Sequence, residues 1–185
     1  MELESVAPNE ASDVLVIKGA KGVESVDITG KYKIECFAAD GTLKWENEYD
    51  NLVTTAGKND ILNKYLAGSS YTAAWYLGII SATSFSAVSA ADTSSSHSGW
   101  VEFQGYSQAT RVAPSFSAAS AGSKATSAAA VFSITAANTI TGTFLTSIST
   151  KGGTTGVLYS AGAFTGGNKI IASGDIVNIT YTASA

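Results

Sequence analysis

Between Asp92 and Arg111 the chain gathers Asp92, His97, Glu102 and Arg111 around Trp100, and no other stretch holds so many groups able to do chemistry. A hydrolase built there would need a nucleophile, a base and an orienting acid. Ser94, Ser95, Ser96 and Ser98 are available, but none lies in a Gly-x-Ser-x-Gly elbow. A metal site would have one histidine, His97, and two carboxylates; zinc catalysis normally uses at least three protein ligands rich in His or Cys. No Asp-x-Asp-x-Asp-Gly calcium loop is present. The expectation is therefore a non-enzymatic protein without cofactor or metal. In it Asp92, His97, Trp100, Glu102 and Arg111 form a structural loop network, with His97, Glu102 and Arg111 as mutual hydrogen-bond partners.

Other suggestive features have plain readings. Gly152-Gly153 and Gly166-Gly167 are not followed by Gly-Lys-Ser/Thr and read as hairpin turns. Trp45, Trp75 and Trp100 read as core, because large aromatics dominate sandwich interiors, although exposed aromatics could also stack on sugar rings. Lys18, Lys21, Lys31 and Lys33 with Glu24, Asp27 and Glu35 read as a mixed-sign solvated face, not a basic patch.

The elements that must hold these residues are mostly strands. Tyr32, Ile34 and Cys36 alternate with charged residues, and after Asp40-Gly41 so do Leu43, Trp45 and Tyr49. Period-two alternation on both sides of an Asp-Gly turn predicts a β-hairpin with its apolar face inward. Asn51-Leu-Val-Thr-Thr55 leads into the one predicted helix, about residues 55–67. Thr54 or Thr55 would cap it, Gly68 would end it, and Ile61, Leu62, Tyr65 and Leu66 would form its buried stripe. Further strands are expected at 75–80, 101–103, 131–134, 140–148, 157–164 and 176–181, about eight in all with the hairpin. The fold class is mainly β: an antiparallel β-sandwich, jelly-roll-like, with one short α-helix.

Residues 1–27 read as an extended N-terminal arm, interrupted by Pro8, Gly19 and Gly22, with residues 28–185 as a single sandwich domain. Within the arm only Val14, Leu15, Val16 and Ile17 form a strand-like run, suited to pairing with a partner's sheet edge.

Composition narrows the function. The chain has 185 residues, a formal charge of −4 and a sequence pI near 4.9, which argues against nucleic acid as partner. No run of apolar residues is long enough to span a membrane. The acidic start Met-Glu-Leu-Glu-Ser lacks the positive region of a secretory signal, and the single Cys36 fits synthesis in a reducing cytoplasm. Charge is uneven: residues 1–65 hold 19 of the 26 charged side chains, and residues 66–185 hold only Asp92, Glu102, Arg111, Lys124, Lys151, Lys169 and Asp175. Such a charge-poor surface suits packing against neighbouring subunits.

A set of segments in order carries a family likeness: Tyr32-Lys-Ile-Glu-Cys-Phe37 with Asp40-Gly-Thr-Leu-Lys-Trp45, Asn51-Leu-Val-Thr-Thr-Ala-Gly57 and Trp75-Tyr-Leu-Gly78. Ala91-Asp-Thr93, His97-Ser-Gly-Trp-Val-Glu102, Tyr106 and Arg111 follow, then Gly156-Val-Leu-Tyr159 and Gly174-Asp-Ile-Val-Asn-Ile-Thr-Tyr181. Over roughly residues 30–185 this resembles a family of small structural proteins of tailed bacteriophages. The resemblance implies a virion component made in the host cytoplasm, with a capsid decoration (cement) protein on the outer surface of the head as the first expectation. Its partners would be the major capsid protein and neighbouring copies of itself, as a homotrimer or another symmetric oligomer. The alternative is a tail- or fibre-associated protein, or a host-binding protein with a carbohydrate site.

Overall fold

The computed structural model describes residues 27–66 and 74–185. The expected arm, with Val14 to Ile17, and the expected helix stop at Gly68 lie outside the described residues.

Among these residues the chain is mainly β, with two antiparallel sheets and one helix in a sandwich-like arrangement. The first sheet opens with the hairpin β1 (Thr29–Phe37) and β2 (Leu43–Asp50). Gly41 takes a left-handed φ of 87°, and the Asp40 carboxylate accepts a hydrogen bond from the Thr42 N–H at 2.9 Å. That is the chemistry an Asp-Gly turn supplies. β1 pairs along its length with β11 (Ile176–Ser184), and the far edge of β11 takes β6 (Ser123–Ala125) and β7 (Ala130–Ser133) in succession.

The second sheet runs β3 (Leu52–Val53), β9 (Leu158–Ala163), β8 (Asn138–Thr146), β4 (Tyr76–Ser81) and β5 (Val101–Phe103). β10 (Lys169–Ile171) also pairs with β8. On β8, Gly142 faces Ala163 while Ile140 faces Lys169, so β10 continues the line of β9 after the intervening residues loop out. This corrects one expectation: Gly166-Gly167, with φ of 79° and 88°, does not turn one strand back onto the next. Instead it lets the chain leave the sheet and rejoin it. Three short strands, β3, β6 and β10, were not expected; they carry too few residues to display a period.

Alternate residues of both sheets fill one shared core, including Tyr32, Ile34 and Cys36 of β1, Leu77 and Ile79 of β4, Phe132 of β7 and Val177 and Ile179 of β11, all fully buried. Buried tyrosines tie the layers together. The Tyr32 hydroxyl lies 2.6 Å from Ser160 Oγ and the Tyr49 hydroxyl 2.8 Å from Thr143 Oγ1, each bond crossing between the sheets. Both give a phenol a polar partner inside an apolar layer. Burial pushes both phenols well above their ordinary pKa.

The helix α1 (Thr55–Leu66) begins where expected, its Thr54 Oγ1 accepting the Gly57 N–H at 3.0 Å. Its apolar stripe is not buried as expected. Ile61 packs against the core, but Leu62, Tyr65 and Leu66 remain 54%, 86% and 74% exposed. The cause is the docking point: Gly57 meets the Tyr159 carbonyl so closely that a Cβ there would overlap it, and this contact fixes which face turns inward. The predicted inward face of the hairpin is also incomplete, since Leu43 is half exposed and Trp45 only partly buried.

Candidate functional site

Sheet residues that point away from the shared core usually meet water. Here Ile80, Phe144, Leu158 and Ala161 form a second, smaller core on the outer face of the second sheet, with Trp100 laid over it and Phe85 and Val88 beside it. The chain after β4 crosses that face, which explains why β4, β8 and β9 are buried almost throughout.

Trp100 is 2% exposed and anchors this cover. Its ring centroid lies 5.1 Å from that of Phe144, and its indole N–H donates to the Asp92 carboxylate at 2.9 Å. The same Asp92 oxygen accepts the Ser89 N–H at 2.9 Å. His97 stacks on Trp100 with centroids 3.9 Å apart, and its Nδ1 lies 3.0 Å from the Trp100 carbonyl oxygen.

Glu102 and Arg111 form a separate unit. Arg111 donates from Nε and Nη2 to the two Glu102 carboxylate oxygens, both at 2.9 Å, and from Nη1 to the Ile148 carbonyl at 3.1 Å. The Gly152 N–H donates to Glu102, so the pair also fixes the loop between β8 and β9. The guanidinium carbon sits 5.1 Å from the Phe144 centroid, and Phe144 is thus the contact shared by the two units. The expected mutual bonding of His97 with Glu102 and Arg111 is corrected accordingly: His97 spends its Nδ1 and its ring face on Trp100, three residues away.

Lys151 was missed by sequence reasoning, because a lone lysine beside Gly152-Gly153 looks like a solvated turn. Its ammonium donates to the Tyr106 carbonyl at 2.7 Å and sits 3.7 Å from the centre of the Tyr106 ring. Burial lowers its pKa, with the Glu102 charge opposing.

The charged groups of this arrangement satisfy one another, whereas the Ser94 Oγ and the Tyr106 hydroxyl are buried with no hydrogen-bond partner among the described residues. Both Glu102 oxygens are engaged, Arg111 is neutralised, and no hydrogen bond joins His97 to Ser94, Ser95, Ser96 or Ser98. Among the described residues no group of three or more His, Cys, Asp or Glu could hold a metal ion.

A second feature lies at the helix end of the sandwich. An apolar cleft of about 380 Å³ is lined by Ile61 and Tyr65 of α1, Trp75, Phe116, Leu145, Tyr159, Tyr181 and Ala183, with Asp60, Lys64 and Lys124 at its polar positions. Trp75 and Tyr159 meet edge to face at 5.3 Å. The helix therefore presents two apolar rows. Ile61 and Tyr65 face the cleft, while Leu62 and Leu66 project outside it. The sequence suggested a single buried stripe of all four residues, because helical spacing alone does not say which side a partner covers.

No protein-family model matches this chain, and no curated protein matches it either.

Proposed function

We propose that this chain is a structural component of a tailed-phage particle, a decoration protein that sits on the outside of the head and bridges capsomers through buried area. The observation that carries the reading is where its few charges go. Of the seven charged side chains in residues 66–185, Asp92, Arg111 and Asp175 are buried, and the Glu102 side chain is 4% exposed. They hold the fold together and leave Lys124, Lys151 and Lys169 as the remaining charges over a long stretch of surface. A free-standing protein normally keeps charge spread over its surface, whereas interface cores are depleted in it. The exposed Leu62 and Leu66 add an apolar row of the kind that marks contact sites.

The edges are consistent with attachment at defined contacts. β3 and β5 are short, and Gln108 caps the edge of β7, its amide donating to the Val131 carbonyl at 3.1 Å and accepting the Ser133 N–H at 3.2 Å. Such edges resist indiscriminate sheet-to-sheet addition.

Cryo-microscopy of particles carrying the protein tests the reading. Density for the sandwich on the outer face of the head, repeated at symmetry-related capsomer junctions, is expected. Density confined to the tail would overturn it and favour a fibre-associated or host-binding role.

A further inference from the structure

We infer that the cavity between the Trp100 cover and the loop joining β8 to β9 is a binding site for a neutral saccharide unit. The cavity has a volume of about 220 Å³, room for roughly seven waters. Phe144 and Leu158 of the second core supply apolar lining, and Ser94, His97, Gln104 and Thr154 supply polar lining. A few polar groups set in apolar surface are what fixes the orientation of a small ligand.

The polar groups are uncommitted. The side chains of Gln104 and Thr154 make no hydrogen bond among the described residues. Ser94 is 6% exposed and its Oγ has no partner either. An enclosed hydroxyl left unbonded is costly, and one χ1 rotation is enough to re-aim a serine toward a ligand. The tautomer of His97 follows from its contact. Its Nδ1 lies 3.0 Å from the Trp100 carbonyl oxygen, which can only accept, so Nδ1 carries the proton and Nε2 of the neutral ring is left as an acceptor.

Charge decides the class of ligand. Arg111 and Glu102 also line the cavity, but they are bonded to each other through both carboxylate oxygens. Neither an anion nor a cation therefore finds an unpaired counter-charge in the lining. A saccharide ring matches such a site. It is uncharged, its hydroxyls both donate and accept, and its C–H faces can cover apolar side chains.

Saturation-transfer NMR on the purified full-length chain tests this with methyl β-glucoside, methyl β-galactoside and methyl N-acetyl-β-glucosaminide as probes, and glucuronate as the charged comparison. The assay uses the isolated chain, so its outcome is independent of any place on a particle. At least one neutral glycoside should bind, several-fold more tightly than glucuronate. Gln104→Ala, at an exposed position, and Ser94→Ala should each weaken it several-fold, while Val131→Ala on β7 leaves it unchanged. Because the Ser94 hydroxyl has no partner in the fold, Ser94→Ala should leave the thermal midpoint unchanged or raised. A lowered midpoint would make that hydroxyl structural and count against the site. No binding by any neutral glycoside is the result expected of a cavity that holds only ordered water, and it would overturn the inference. Equal binding of glucuronate, or either cavity variant binding as the original chain does, would overturn it too.

Discussion

Arg111 and Glu102 meet through two parallel hydrogen bonds of 2.9 Å while their side chains are 5% and 4% exposed. Taking two charges out of water is costly, and the geometry here offsets that cost by engaging both carboxylate oxygens and stacking the guanidinium near Phe144. Removing one partner strands the other. Arg111→Met or Glu102→Leu alone should each destabilise the chain by about 3–5 kcal/mol, and the double substitution by clearly less than the sum. Urea denaturation of the four species measures this, and additive losses would refute the coupling.

Gly78 lies under Phe144, where an added Cβ would overlap the ring. Gly78→Ala should therefore push Phe144 against Trp100 and cost about 1–3 kcal/mol through overpacking. Because Trp100 sits on Phe144, its fluorescence should shift as well. A variant with unchanged emission and stability would show that the second core is loosely packed.

The sequence disclosed the fold wherever a strand was long and had one wet face. The β1–β2 hairpin was legible because Tyr32, Ile34 and Cys36 alternate with charges. The second sheet was legible as buried runs, but its second core was not: Ile80 and Phe144 look like any strand residues until the cover over them is placed. The loop network was visible as a cluster of unusual residues in a Ser-rich stretch, yet its pairing was not. Sequence proximity suggested His97 with Glu102, whereas ring stacking and a local carbonyl took His97 to Trp100. The helix misled for a similar reason, since Gly57, not the apolar stripe, sets its docking face.

Asp175 is 4% exposed and accepts hydrogen bonds from Lys44 at 2.6 Å and the Ala172 N–H at 2.8 Å. Burial alone would raise its pKa, but these donors and the Lys44 charge together hold the carboxyl below its ordinary range. A carboxyl with a lowered folded-state pKa contributes stability that is present above the unfolded value of about 4 and is lost as pH falls through the folded one. Asp175→Asn should thus destabilise the protein at pH 7 by about 1–3 kcal/mol and flatten the loss of stability below pH 4. Denaturation midpoints across acid pH check the sign, and a variant with the same acid limb would be against it.

Cys36 is fully buried, and burial together with the Asp175 charge pushes its thiol up to about 12. A thiol reagent at pH 8 should leave the native chain unmodified and label it fully in denaturant, because only the exposed thiolate reacts. Rapid labelling under native conditions would mean that the β1 end of the core opens readily.

Leu62 and Leu66 lie one turn apart on α1, 54% and 74% exposed, and neither lines the cleft. Replacing an exposed leucine removes little buried area, so Leu62→Ser with Leu66→Ser should change the thermal midpoint by only a few degrees. Under the proposed role the same residues would lie inside a contact on the particle, where each loses its water. Full burial of a leucine is worth about 1.5–3 kcal/mol, so losing two that become largely buried should weaken attachment by at least about tenfold. Occupancy of undecorated particles across a concentration series, for the original chain and the double variant, gives the comparison. A right-shifted curve with an unchanged midpoint is expected. Coincident curves would remove this row of α1 from the proposed contact and shift the proposal to the charge-poor strands of residues 66–185.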